Sequence, residues 1–283
     1  MGTQKIYATI LDITIYMEKP MDNENNNRMP ILFIGHGNPM YAIETNSYTQ
    51  MLSNLSNKLG RPKAILCISA HWLTSGTWVT HMDRPRTIHD FYGFPEELFA
   101  VEYTAPGSPK TAELVKACVL NQRVELDDGQ WGLDHGTWAV MRHIYPQANI
   151  PIVQLSIDIN QDAKYHFKIG QQLKSLREQG ILIVGSGNIV HNLSKIIWKT
   201  PATPYDWAIE FDTWIKDKLL KRDFAAIVSE YSFFLAGKLS VPTPDHYFPL
   251  LYILGSVDNN DNMSFLFEEI HNGSISMRSI IFD

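Results

Sequence analysis

Three of the histidines in this chain follow runs of apolar residues that end in small ones. His36 comes after Ile31-Leu32-Phe33-Ile34-Gly35. His71 comes after Ala64-Ile65-Leu66-Cys67-Ile68-Ser69-Ala70. His191 comes after Ile181-Leu182-Ile183-Val184 and the turn Gly185-Ser186-Gly187-Asn188-Ile189-Val190. A fourth, His246, closes the proline-stiffened turn Val241-Pro242-Thr243-Pro244-Asp245, ahead of the apolar stretch from Tyr247 to Leu254. Neutral imidazole is the usual protein ligand for zinc, iron, copper and nickel. Three histidines with open positions make a catalytic metal site, and a closed all-protein shell makes a structural one. Any one of them, taken alone, reads better as a hydrogen-bonded scaffold residue. Their recurrence at one kind of position reverses that preference, although no compact pattern such as His-Glu-x-x-His is present.

The other histidines carry less. His135, in Leu133-Asp134-His135-Gly136-Thr137, lies in a loop by its context and could enter a cleft or face solvent. His89 stands in the aromatic-rich Ile88-His89-Asp90-Phe91-Tyr92-Gly93-Phe94-Pro95, where it is either a lid residue or a packing one. His81, His143, His166 and His271 read as structural or solvated. Gly185-Ser186-Gly187 resembles part of a phosphate-cradling loop, but neither GxGxxG nor a Walker pattern follows. There is no Gly-x-Ser-x-Gly elbow.

Positioning these side chains requires strands that end together. Continuous apolar runs such as Ile31–Ile34, Ala64–Ser69 and Ile181–Val184 predict strands buried on both faces, as in a parallel sheet. Adjacent strands lie about 4.8 Å apart, so side chains at neighbouring ends can converge within ligand distance. In open α/β sheets the carboxyl end is where ligands bind. Further strands are expected at 78–80 and 150–157. Helices are expected at 41–59, 109–120, 138–145, 161–179, 205–220, 224–231 and 247–254. Asn272-Gly273 predicts a hairpin turn between 265–269 and 274–281. Residues 83–108, rich in proline, read as a long functional loop. Strands alternating with helices predict one α/β domain with a mostly parallel central sheet, flanked by helices and beginning at residue 29. Residues 1–28 read as a peripheral or disordered N-terminal extension.

The totals exclude several classes. The 283 residues suffice for one large domain with an ample core. The formal net charge of -6 argues against a nucleic-acid partner. No stretch is long and apolar enough for a membrane span. Cys67 and Cys118 lie in apolar runs and read as buried thiols of a reducing compartment. A cytoplasmic protein, monomeric or a small homo-oligomer, is the expectation.

In order along the chain stand Gly35-His36-Gly37-Asn38-Pro39, Ser69-Ala70-His71-Trp72 and His89-Asp90-Phe91-Tyr92-Gly93-Phe94-Pro95. They are followed by Gly132-Leu133-Asp134-His135-Gly136-Thr137-Trp138, Gly185-Ser186-Gly187-Asn188-Ile189-Val190-His191-Asn192 and Pro242-Thr243-Pro244-Asp245-His246. This set resembles the 4,5-DOPA extradiol dioxygenase family. That family belongs to the class III extradiol ring-cleavage dioxygenases, alongside the protocatechuate 4,5-dioxygenase catalytic subunit. The resemblance runs from about Met29 to the C-terminus. It implies a single-domain α/β fold and one mononuclear metal ion, Fe(II) for activity, with Zn(II) able to occupy the same site. It implies that His36, His71 and His246 are metal ligands. It makes His191 the acid/base residue and a fourth ligand when zinc is bound, and His135 a second histidine facing the substrate. The implied substrates are a catechol such as DOPA and dioxygen, and the implied product is a muconic semialdehyde. Protocatechuate-type relatives use two histidines and a carboxylate. Here His246 stands at the corresponding turn with Asp245 beside it, which leaves iron and zinc both open. A zinc-dependent hydrolase and a non-enzymatic binding protein that keeps the pocket are the alternatives.

Overall fold

The computed structural model describes residues 28–199 and 201–283. The expected N-terminal extension, Arg28 apart, lies outside the described residues. An eight-stranded sheet runs through the middle of the molecule. Its strands are β1 (Ile31–Gly35), β2 (Ala64–Thr74), β3 (Thr77–Thr80), β4 (Val124–Asp127), β5 (Ile152–Asp158), β6 (Ile181–Gly187), β7 (Met263–Phe267) and β10 (Ser279–Phe282), in the order β4-β3-β5-β2-β6-β1-β10-β7. A small hairpin, β8 (Ile270–His271) with β9 (Ile275–Ser276), connects the last two. The central pairings β5–β2, β2–β6 and β6–β1 are parallel, whereas β10 and β7 form an antiparallel edge beside β1.

The helices are α1 (Ser47–Leu59), α2 (Glu96–Phe99), α3 (Pro109–Cys118), α4 (His135–Ile144), α5 (Ala163–Leu173), α6 (Asp206–Leu220), α7 (Phe224–Ser229), α8 (Leu235–Ser240) and α9 (Phe248–Gly255). They cover both faces of the sheet, as period-two side-chain alternation requires of doubly buried strands. From β1, Ile31 and Phe33 enter the core beneath α3, α5, α6 and α9. Leu32 and Ile34 enter the core beneath α1 and α4. Each such side chain contributes about 1.5–3 kcal/mol of transfer free energy, so register in β1 is strongly specified. A slip by one residue would exchange its two faces.

Several boundaries depart from expectation for physical reasons. The stretch expected as one helix over 41–59 is a 3-10 turn at Pro39–Ala42 followed by α1. Asn46 separates them, because its side chain accepts from Thr49 N–H while Thr49 Oγ1 accepts from Asn46 N–H, a reciprocal cap. The helix expected at 161–179 is α5 followed by a 3-10 segment, Lys174–Gln179. Within β6, Gly185 and Gly187 do not stop the strand. Added Cβ atoms there would lie 2.7 Å from Pro249 O and 2.2 Å from His246 O, so glycine is required for the close approach of the following chain. Cys67 is buried and Cys118 only half-buried, against the expectation of two buried thiols; both are free.

Candidate metal centre

The carboxyl ends of β1 and β6 are level with each other and with Ser69 inside β2. Ile34 pairs with Ser186, and Ser186 pairs in turn with Ser69. His36 N–H donates to Gly187 O at 3.1 Å, which fixes the residue just past β1 against the end of β6. His71 does not follow its strand as expected; it lies inside the longer β2. There the pairing with β5 shifts register between Ile68 and Leu73. Such an irregularity re-aims side chains, and His71 turns toward His36. His246 enters from the turn before α9, its carbonyl accepting from Asn188 N–H at 2.9 Å. His191 is held through its backbone, donating to Ser240 O at 2.9 Å. His135 is not in a loop but in the first turn of α4, where Asp134 caps the helix.

The five imidazoles converge. His36 lies 5.0 Å from His71, 5.2 Å from His246 and 5.5 Å from His135, between ring centroids. His71 lies 3.9 Å from His135 and 5.0 Å from His246, and His191 stacks on His246 at 3.5 Å. Every site histidine read from the sequence is thus in one cluster, and His89 is not. Its Nε2 donates to Val101 O at 2.9 Å and its ring packs on Phe91 and Trp138, so it anchors the loop.

Outer partners fix the tautomers. Ser186 Oγ donates to Gly136 O at 2.5 Å, so it must accept from His36 Nδ1–H at 3.0 Å. Asp90 Oδ2 accepts from His71 Nδ1–H at 3.0 Å and from His135 Nδ1–H at 2.9 Å, while Oδ1 accepts from His135 N–H at 2.9 Å. Asp245 Oδ2 accepts from His246 Nδ1–H. Each of these four rings therefore turns Nε2 inward. This is the outer shell that orients metal-bound histidines. His191 differs, since among the described residues no hydrogen bond fixes its ring.

Two inward nitrogens, His36 Nε2 and His71 Nε2, face each other at 3.1 Å. Opposed lone pairs at this distance need a positive centre between them, either a proton or a cation. Ligand nitrogens bound at about 2.0–2.1 Å to one zinc ion lie at about such a separation from each other. The donor set fits a metal ion. Burial, reinforced by neighbouring histidines, holds His36 and His246 well below the ordinary imidazole pKa, so they stay neutral and able to donate a lone pair. Burial likewise lowers His135, against the pull of Asp90. For His71 burial is outweighed by the hydrogen bond and charge of Asp90, and its pKa rises. Burial lowers His191 to about 4, which keeps its ring neutral at physiological pH.

Sequence reasoning missed Asp90 and Ser186. Asp90 stands in the aromatic-rich motif beside His89, where nothing local marks an aspartate as a histidine partner. Ser186 was visible only as a fragment of a phosphate-loop pattern. A further buried support was also missed. Asp134 accepts from Ser69 Oγ at 2.6 Å and from Gln154 Nε2 at 2.7 Å, locking α4 to the sheet beneath the histidines. Above them opens a cavity of about 640 Å³, floored by the histidines and Asp90.

An α/β sheet with a histidine cluster at its carboxyl end defines a class of enzyme, and comparison with known proteins says which. Residues 30–276 match the family described as the catalytic LigB subunit of aromatic ring-opening dioxygenase. The chain belongs to that family, and with it to the extradiol dioxygenases among the oxidoreductases. It is 45% identical over 259 residues to the 4,5-DOPA dioxygenase extradiol of Escherichia coli, covering 90% of this chain and 95% of that one. It is 34% identical over 270 residues to the protein of the same name from Beta vulgaris, covering 93% and 99%. A solved crystal structure of an Escherichia coli protein described as uncharacterized superposes with a TM-score of 0.79 at 41% identity, over 90% of this chain and all of that one.

Proposed function

We propose that the protein cleaves a catechol ring beside its diol, inserting both atoms of dioxygen into a substrate such as DOPA to give a muconic semialdehyde-type product. The observation that carries this reading is the set of inward Nε2 atoms on His36, His71 and His246, each ring fixed from behind, at the floor of a cavity large enough for an aromatic substrate. Those three residues would hold one metal ion, Fe(II) in the active protein. Zn(II) would occupy the same site with His191 as a fourth ligand. Bound there, the metal supplies Lewis acidity that eases loss of catechol protons, and iron, unlike zinc, can relay electrons from ring to oxygen.

The remaining work falls to the chain. His191 is neutral and its ring is not tied, so it can take a catechol hydroxyl proton and return it when the O–O bond breaks. His135, oriented by Asp90, faces the substrate from the other side, where its inward Nε2 can accept a hydrogen bond from it. Phe91, packed 5.5 Å edge-on to His135, helps exclude water from the floor. An all-nitrogen donor set also suits zinc, which keeps zinc-dependent hydrolysis as a second reading. A cytoplasmic location, as a monomer or small homo-oligomer, fits the free cysteines.

Anaerobic reconstitution with Fe(II), followed by DOPA and oxygen, is the test. The expected outcome is stoichiometric oxygen uptake and a yellow ring-opened product. A verified iron load with no oxygen uptake on any of several catechols would refute the proposal.

A further inference from the structure

The cavity over the histidines is much larger than a bare catechol ring needs, at about 640 Å³, and falls in the range that accommodates drug-sized ligands. Its chemistry is uneven. The floor is polar. The walls and mouth include Phe91, Phe94, Leu193, Ile196 and Trp198, with Tyr92 at the rim. Three of these are held in water: Leu193 is 60% exposed, Trp198 67% and Tyr92 93%. Single exposed apolar residues are ordinary, but several large ones gathered around one opening mark a surface that a ligand covers.

Charge is distributed to match. Among the described residues, neither Lys nor Arg lines the cavity. The acidic groups nearest the floor are committed, Asp90 to His71 and His135 and Asp245 to His246. A carboxylate attached directly to the substrate ring would be drawn into this apolar wall with no counter-charge, and desolvating an unpaired carboxylate is costly. Lys195 and Lys199 are exposed and flank the wall residues in sequence, outside the cavity lining. A charged group is therefore accommodated only away from the ring, where a side chain carries it toward the mouth.

Resting on the ring-cleavage reading above, we propose that the substrate is a catechol with an apolar side chain next to the ring. That side chain would lie along Leu193, Ile196 and Trp198. Catechols with a ring-attached carboxylate are rejected, and charge is tolerated only at the far end of the side chain.

Two measurements separate this inference from the reading it rests on. Calorimetric titration of 4-propylcatechol and of 3,4-dihydroxybenzoate into Zn(II)-loaded protein reads binding without turnover. Oxygen uptake by Fe(II)-loaded protein reads kcat/KM. The propyl compound should bind and react better by at least about ten-fold, the discrimination a hydrophobic pocket gives for such a group. Trp198→Ala, at an exposed position the fold tolerates, should remove most of that advantage through KM rather than kcat. Leu193→Lys should improve binding of the carboxylate. Equal or better handling of the carboxylate by the parent protein would overturn the inference, as would an advantage unchanged in both variants. If the binding order holds without oxygen uptake, the dioxygenase reading falls and the pocket assignment stands. If the carboxylate is the better-cleaved substrate, only the pocket assignment falls. Failure of both compounds to bind would overturn both.

Discussion

The two ends of β6 each carry a buried polar network, and the two are built on opposite rules. Just before its amino end, Arg177 is fully buried and each of its three guanidinium nitrogens has a partner. Its Nη1 and Nη2 donate to the two oxygens of Asp261 at 2.6 and 2.8 Å, its Nε to Met29 O at 2.9 Å, and Nη1 also to Ser256 O at 3.2 Å. Arg28 adds a further bond to Asp261 at 2.7 Å. At the carboxyl end the histidines are saturated only from behind. Except in His191, their Nδ1 atoms are partnered, and their Nε2 atoms are turned inward toward one another. The inward nitrogens of His36 and His71 oppose their lone pairs at 3.1 Å, so the second arrangement calls for a proton or cation between them. Complete pairing marks the structural end, and deliberate incompleteness marks the working one.

Substitutions can break this contrast. The largest effect is expected for His191→Ala, which should lower kcat by about 10²–10⁴-fold, the usual worth of a general acid/base. Metal analysis should find the ion still bound, and unchanged turnover would remove His191 from the chemistry. At the other end, Asp261→Ala leaves Arg177 buried without its carboxylate and should cost about 3–5 kcal/mol of stability in denaturant titrations. The metal content per folded molecule should not change, because the network lies at the far end of the strand. A loss of metal there would erase the distinction between the two ends. Asp90→Asn acts between these extremes. It disturbs the acceptor shared by His71 and His135, and should weaken metal affinity by about 10–100-fold with little effect on unfolding.

Acid should separate the ends more gently. Asp90 raises the pKa of His71 above 6.5, so protons compete with metal there as soon as pH falls through that raised value. Although burial opposes ionisation of Asp261, hydrogen bonds from Arg177, the Asp258 N–H and Arg28 hold its pKa down at about 2. A depressed folded pKa means that its stabilisation is present above the unfolded value of 3.8 and is lost only as pH falls toward about 2. Metal release should therefore precede unfolding on acidification, followed by metal analysis and circular dichroism in parallel. Coincident transitions would contradict the assignment.

The sequence made some of this legible and hid the rest for identifiable reasons. Apolar runs exposed β1, β2 and β6 because both faces of each strand are buried, and a buried strand writes its length in hydrophobic residues. The Asn272-Gly273 turn was legible because both residues adopt positive φ, 51° and 77°. The length of β6 was not, since its glycines serve close packing on His246 and α9, which no local pattern reveals. His135 was placed in a loop because the residue that starts its helix, Asp134, looks like any other loop aspartate. Asp90 was hidden most deeply. Its role depends on partners at positions 71 and 135, and only the fold brings them together. Residue type predicted which side chains could hold a metal, while long-range pairing decided which ones orient them.

One pairing bears on how the protein is made. β1, which leads to His36, lies between β6 and β10, with Ile31 opposite Ile183 on one side and Phe282 on the other. Val190 and Asn192, on either side of His191, are bonded to Ser276 and Ser274 near the same chain end. The first strand of the sheet thus waits for Ile280, Ile281 and Phe282, far later in the chain. Contacts of such sequence separation are slow to form. The histidine cluster is therefore completed only after those later residues have been made.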